Sequence, residues 1–282
     1  MPVSKKALEA FRVKVWQEGA ELYRDFPWRK VSDPYLILVS EVMLQQTQVA
    51  RVLNYWEPFC VRFPTLDALA ATDNAAVLEQ WQGLGYNRRA LALKRCAEIC
   101  SERYQGILPE TEAELLALPG IGAASAAGIR AFAFQYPGIY LETNVRAVFI
   151  HEFFPDVESV SDKEIMPLVE ATCSQDNPRG WYYSLLDIGA HLKQQVQNPS
   201  RKSAHYARQS TFVGSRRQKR AELLRQVLAF PGIDSETLYL KLCEFEKQAG
   251  REIVSSGIFE SLIEDMLKEG FFRKEGEKLF VT

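Results

Sequence analysis

From Lys5 to about Gln195, apolar positions recur at three- and four-residue spacing. Turn signals break the pattern at Phe26-Pro27, Phe63-Pro64, Gly83 to Gly85, Leu118 to Gly122, Pro137-Gly138 and Asn177-Pro178. No stretch alternates long enough to make a sheet there, so the pattern predicts an all-α domain of many short helices. The polar, basic segment 198–215 then reads as a linker. Beyond it the spacing predicts a helix over Arg217 to Phe230, ended by Pro231-Gly232, and a second from a cap at Asp234 or Ser235 to about Lys247. Ser255 or Ser256 caps a third, Ile258 to Lys268, stopped by Gly270. The closing stretch GFFRKEGEKLFVT holds two short β-prone runs about Lys274-Glu275-Gly276, a hairpin pattern.

Three helices followed by a hairpin is the order of a winged-helix module, so the predicted organisation is mostly α: a helical domain over 1–197, a basic linker over 198–215 and a small winged-helix-like domain over 216–282. Such modules bind DNA or serve as protein-interaction platforms. The third helix carries Glu260, Glu264 and Asp265 and is poorly suited to a major groove. Both roles stay open, with any DNA contact falling to Arg216, Arg217 and Arg220 on the first helix.

At 282 residues, 47% hydrophobic and 25% charged, the chain has the composition of an ordered globular protein. The opening MPVSKKALEA has no apolar core region, and the run Tyr35 to Val39 is far too short to span a bilayer. A cytoplasmic protein with no membrane partner is expected. Cys60, Cys96, Cys100, Cys173 and Cys243 form no C-x-x-C pair and lie far from His151 and His205, so they read as reduced, packed thiols rather than a disulfide frame or zinc site. Charge is distributed unevenly. Ile188 to Ala221 contains no Asp or Glu, whereas Lys193, Arg201, Lys202, Arg208, Arg216, Arg217, Lys219 and Arg220 contribute +8 to a chain whose net charge is -2. A basic block on an acidic protein suggests a polyanion partner; a solvated linker is the alternative.

Three stretches carry candidate chemistry. Asp33-Pro34 is a strong helix start, predicting one helix from Tyr35 to about Gln46. On it Glu41 has Ile37, Leu38 and Leu44 as its helical neighbours. A carboxyl in such surroundings has its charged form disfavoured and its pKa raised, as a general acid requires; a Glu leaning out to solvent or capping a neighbouring helix is the alternative. Next, Thr111 to Glu114 is a capping box, and LPGIG, with Leu118, Gly120 and Gly122, interrupts the helical pattern before Ala123 to Phe134 resumes it. That is the helix-hairpin-helix pattern, whose outward amides suit a phosphate. Third, Glu142 precedes the predicted helix Thr143 to Phe154, where the dipole favours an anion. A neutral acid with a charged partner suits glycosidic cleavage; Glu142 as an ordinary capping acid is the alternative.

FPWR (Phe26 to Arg29), DPY (Asp33 to Tyr35), SEVMLQQTQV (Ser40 to Val49), GLGYNRRA (Gly83 to Ala90), LPGIG and LETNVR (Leu141 to Arg146) together resemble the helix-hairpin-helix (HhH-GPD) DNA glycosylases, and among them the MutY-type adenine glycosylases, as far as LLDIGAHL (Leu185 to Leu192). The resemblance implies a two-lobed helical domain that acts as a monomer on duplex DNA bearing a mismatch or damaged base. It places Glu41 on the general acid and Asn144 beside the catalytic carboxylate, which here is Glu142 where the family has aspartate. It places Gln45, Gln46 and Tyr86 on residues that wedge into the duplex, Trp28 and Arg29 along the base pocket, and Arg88, the hairpin and Lys193, Arg201 and Lys202 on DNA. Ala124 stands where bifunctional relatives carry a Schiff-base lysine, so no lyase activity is expected. The family's four-cysteine iron–sulfur motif would follow LLDIGAHL; none of the four is present, and no cluster or other cofactor is expected. The implied function is excision of a mispaired base in base excision repair, adenine opposite 8-oxoguanine or guanine. Uracil or thymine opposite guanine, hypoxanthine, or non-catalytic binding of damaged DNA are the alternatives.

Overall fold

The computed structural model describes residues 3–204, 206 and 210–282; Arg208 of the basic block lies outside them. Helices account for nearly all regular structure up to residue 229, as the spacing predicts, and they sort into two lobes with separate apolar cores. One core gathers the helices between Pro34 and Ala133, centred on Leu38, Phe59, Leu78, Trp81 and Leu93. The other joins the first helix, Lys5–Glu21, to Thr143–Phe153, Asp162–Thr172 and Pro178–Gln195 through Phe11, Phe149, Trp181 and Tyr182. The helix Pro34–Leu44 straddles both: Ile37 points into the second core while Leu38, Val42 and Met43 point into the first.

That straddling helix starts as its sequence dictates, with the Asp33 carboxylate accepting from the Tyr35 amide at 2.8 Å and Pro34 in the first turn. It stops at Leu44, two residues short of the predicted end. Gln46 has left-handed backbone (φ 55°), and the Arg89 guanidinium takes the carbonyls of Val42, Met43 and Gln45 that further helix would have used. A second tie reaches across the chain. Asp187, fully buried, accepts from Arg29 at 2.6 and 2.8 Å and from Arg24 Nε at 2.6 Å.

The first part of the predicted linker, 198–204, is docked: Asn198 caps a 3-10 turn over Pro199–Lys202, and Val160 pairs with Ser203 in an isolated parallel bridge, its amide donating to Lys202 O at 2.8 Å. Residues 206 and 210–213 are exposed. After the linker come helices Arg216–Ala229, Ser235–Gln248 and Ser256–Lys268, capped by Ser215, Asp234 and Ser255. Strands β1 (Ile233–Asp234), β2 (Phe272–Glu275) and β3 (Lys278–Val281) make an antiparallel sheet in the order β1-β3-β2, with Gly276 (φ 60°) in the hairpin turn. The spacing missed β1, which is only two residues long. Leu223, Leu242, Met266 and Leu279 of this C-terminal unit belong to the same continuous apolar cluster as Leu78 and Leu84, so the unit is packed onto the first lobe. Among the described residues no helix is long and apolar enough to cross a membrane.

Removing one partner of a buried, hydrogen-bonded ion pair strands the other charge. Asp187→Ala should therefore lower the unfolding free energy by ~3–5 kcal/mol, read by urea titration.

Candidate active site

Glu41 sits where the straddling helix meets the helix Ala123–Ala133. Contact is made possible by Gly128: a β-carbon there would stand 2.5 Å from Glu41 Oε2 and 3.0 Å from the Tyr140 ring. The residue is half-buried, and among the described residues no hydrogen bond or ion pair reaches it. Burial is the first cause that pushes its pKa up to about 8, and the charge of nearby Glu142 adds to it. Tyr140 forms one wall. Its amide donates to the Tyr182 hydroxyl at 3.1 Å and its ring meets Phe132 edge-on, so its place is set by core packing. Burial drives the Tyr140 phenol well above its ordinary range, with the charge of Glu41 the next cause.

Glu142 is itself the N-cap of Thr143–Phe153. Its Oε1 accepts from the Asn144 and Val145 amides at 2.5 and 3.1 Å. One oxygen of the carboxylate is thus fixed by the helix start. Asn144 is held from two sides. Lys193 Nζ donates to its Oδ1 at 2.8 Å, and its carbonyl lies so close to Gly189 that a β-carbon there would be 2.4 Å away. Burial lowers the Lys193 pKa while Glu142 works in the opposite direction. The structure therefore brings Glu41, Glu142, Asn144 and Lys193 into one neighbourhood, contributed by both lobes.

Trp28 and Arg29 are both buried. Trp28 stacks on Phe26 and meets Trp56 edge-on, and Arg29 is locked to Asp187 with its guanidinium 4.4 Å from the Tyr183 ring centre. Tyr183, pushed up to about 12 chiefly by burial, also feels Glu41, so Arg29 lies behind the wall of the acid's seat.

The predicted wedge residues form a second group. Gln45 Nε2 donates to Gly120 O and Ser125 Oγ at 3.1 and 2.9 Å, tying the end of the acid's helix to the hairpin. Tyr86, like Gln46, has left-handed backbone (φ 49°). Arg89 joins the two: besides the three carbonyls named above it donates to Thr47 Oγ1 and Gly85 O. Burial lowers its pKa to about 10. In the hairpin, Leu118 is buried, Gly120 (φ 76°) passes within 2.9 Å of Ala92 as judged by a built β-carbon, and Gly122 and Ala124 are exposed with open space beside Gly122. First-turn amides of the following helix have no acceptor within that helix, as an anion site requires.

Arg88 pairs with Glu269 at 2.8 Å. Arg201 is exposed, while Lys202 donates to Pro155 O at 2.6 Å. Sequence reasoning missed Gly128, Tyr140, Arg89 and Asp187; of these only Gly128 left a local mark, as one small residue in a run of small ones.

The raised pKa of Glu41 has a thermodynamic sign. The native state binds a proton more tightly than the unfolded one, so this group's contribution is fully present below its ordinary value near 4.5 and is lost as pH rises toward about 8. Glu41→Gln should flatten that part of the stability profile and leave the variant more stable than the parent at pH 8. Denaturant unfolding between pH 5 and 9 measures it, and parallel profiles would contradict the buried-acid geometry.

The HhH-GPD superfamily base excision DNA repair protein family matches residues 39–173. The chain is 37% identical over 177 residues to an adenine DNA glycosylase of Mycolicibacterium smegmatis, covering 62% of this chain and 60% of that protein. It is 42% identical over 127 residues to one of Mycobacterium tuberculosis, covering 45% and 42%. The chain thus spans about half the length of these relatives. A thermostable thymine-DNA glycosylase superposes with a TM-score of 0.59 at 25% identity, covering 66% of this chain and 87% of that one. Family match and two-lobed fold agree on the central part of the chain: residues 39–173, which include Glu41 and Glu142, match the HhH-GPD superfamily of base excision DNA repair proteins.

Proposed function

We propose that the chain is a monofunctional DNA glycosylase that removes a flipped, mispaired base, adenine first. The observation that carries this reading is the Glu41 carboxyl, kept protonated near neutral pH by its dry seat, beside a second carboxylate fixed by helix amides. In the reaction Glu41 donates its proton to the departing base as the bond from C1′ to the base nitrogen breaks. Glu142 faces the positive charge growing on the sugar, Asn144 orients the sugar or water, and water supplies the hydroxyl that ends on C1′. Gln45, Gln46 and Tyr86 fill the gap left by the extruded nucleotide, while hairpin amides and Arg201 hold phosphates.

Adenine is favoured by the two mycobacterial relatives, which are adenine DNA glycosylases. The solved thymine-DNA glycosylase supports a second reading, thymine or uracil opposite guanine on the same frame. Ala124 offers no amine at the hairpin, so no strand cleavage through that position is expected. Nor do the residues fit an iron–sulfur cluster. Residues 193–215 carry no thiol, and the Asn198-capped turn bridged to Val160 lies within them, which supports a cluster-free reading.

Single-turnover incubation with duplexes carrying A, T, U or hypoxanthine opposite G or 8-oxoguanine tests the activity. Alkali-dependent breaks at one base, abolished in Glu41→Gln and slowing above about pH 8 as the acid deprotonates, are the expected result. Binding without a break on every duplex would instead make this a damage-recognition protein. Neutralising Arg201 and Lys202 together should reduce the slope of log affinity against log salt by about 2; an unchanged slope would remove them from the DNA contact.

A further inference from the structure

A cleft of about 1100 Å³ separates the first lobe from the C-terminal unit, and the candidate wedge forms one wall of it: Gln45, Gln46 and Tyr86 face Arg216, Arg217 and Arg220. Two polar links cross between the walls. Glu269 accepts from Arg88 on one side and from Arg220 on the other. Arg217 donates from NH1 to the Tyr86 hydroxyl at 2.7 Å, its guanidinium lies 5.5 Å from the Tyr86 ring centre, and its NH2 is anchored on Ser210 O at 2.6 Å. Arg89 lies 5.5 Å from the same ring. Tyr86 is thus a non-glycine residue in left-handed backbone, flanked by Gly85 (φ 76°) and contacted by two guanidinium groups from different domains. A residue in that conformation persists where its surroundings dictate it.

We propose that Arg217 is a positioning residue: by holding the Tyr86 hydroxyl it lets the C-terminal unit set the wedge. The inference rests on the glycosylase reading of the Tyr86 loop. Arg217 is not primarily a phosphate ligand in this scheme, because its donors are already spent on Tyr86 and Ser210.

A double-mutant cycle separates the two roles. Tyr86→Phe removes only the hydroxyl, and Arg217→Met removes the guanidinium but keeps much of the side-chain length. Each should slow single-turnover excision at saturating protein by about tenfold, and the double variant should be no slower than either single one. Thermal midpoints report whether folding is intact. Losses that multiply, or an Arg217→Met variant that only weakens DNA binding and keeps the parent rate at saturation, would overturn the proposal.

A readout without chemistry keeps its failure distinct from failure of the glycosylase reading. In a Glu41→Gln background, 2-aminopurine placed opposite the target base reports unstacking by fluorescence. The parent background should show a rise that Tyr86→Phe and Arg217→Met diminish equally. A rise untouched by both, or no rise at all, sinks the positioning role whatever the outcome of the excision assay.

Discussion

A carboxyl group with no hydrogen-bond partner among the described residues, pressed against a glycine and a buried tyrosine, is the constraint around which this structure is organised. Such a group is tolerable only while it carries its proton, and only if the helix bearing it is held from both sides. Both conditions are met by packing. The Pro34–Leu44 helix contributes to two cores, Gly128 lets the neighbouring helix approach, and the Tyr182 hydroxyl accepts from the amide of the tyrosine that closes the seat. The site's chemistry is therefore a property of how two lobes meet rather than of any single loop.

Glu142 is the counterpart in every respect. It is anchored by its own helix start, through contacts two and three residues away, and needs no distant partner to take its place. The two carboxylates thus differ in how they are built: one by long-range packing, the other by local capping. Among the described residues, position 142 is set by contacts to the Asn144 and Val145 amides alone. Position 41 has no slack, since its carboxylate oxygen already occupies the space a β-carbon at residue 128 would need.

What could be read in the sequence follows the same line. Caps, turns and helical spacing act over a few residues, so the start of the acid's helix at Asp33-Pro34, the cap at Glu142, the hairpin glycine at Gly120 and the three C-terminal helices were all legible. Illegible were the partners that only folding brings near: Asp187 with Arg24, 163 positions apart, and Arg217 with Tyr86, 131 apart. The helix end at Leu44 was misjudged for the same reason, because the group that terminates it is a guanidinium from a later helix. Residues 198–203 differ in the opposite sense: their polarity suggests solvent exposure, but a docked turn uses polar groups just as well.

The pairing of the first helix with Pro178–Gln195 has a consequence for how the chain acquires its shape during synthesis. Phe11 waits for Trp181, and Arg24 for Asp187, so the lobe that begins the chain can only be closed by the helix that ends the domain. The intervening helices of the other lobe, whose contacts are closer in sequence, have their partners available earlier. Until Pro178–Gln195 leaves the ribosome, the second core lacks Trp181, Tyr182, Tyr183, Leu185 and Ile188. A nascent chain stalled before that point would hold Glu41, Glu142 and Asn144 and still leave open the core against which the first helix closes.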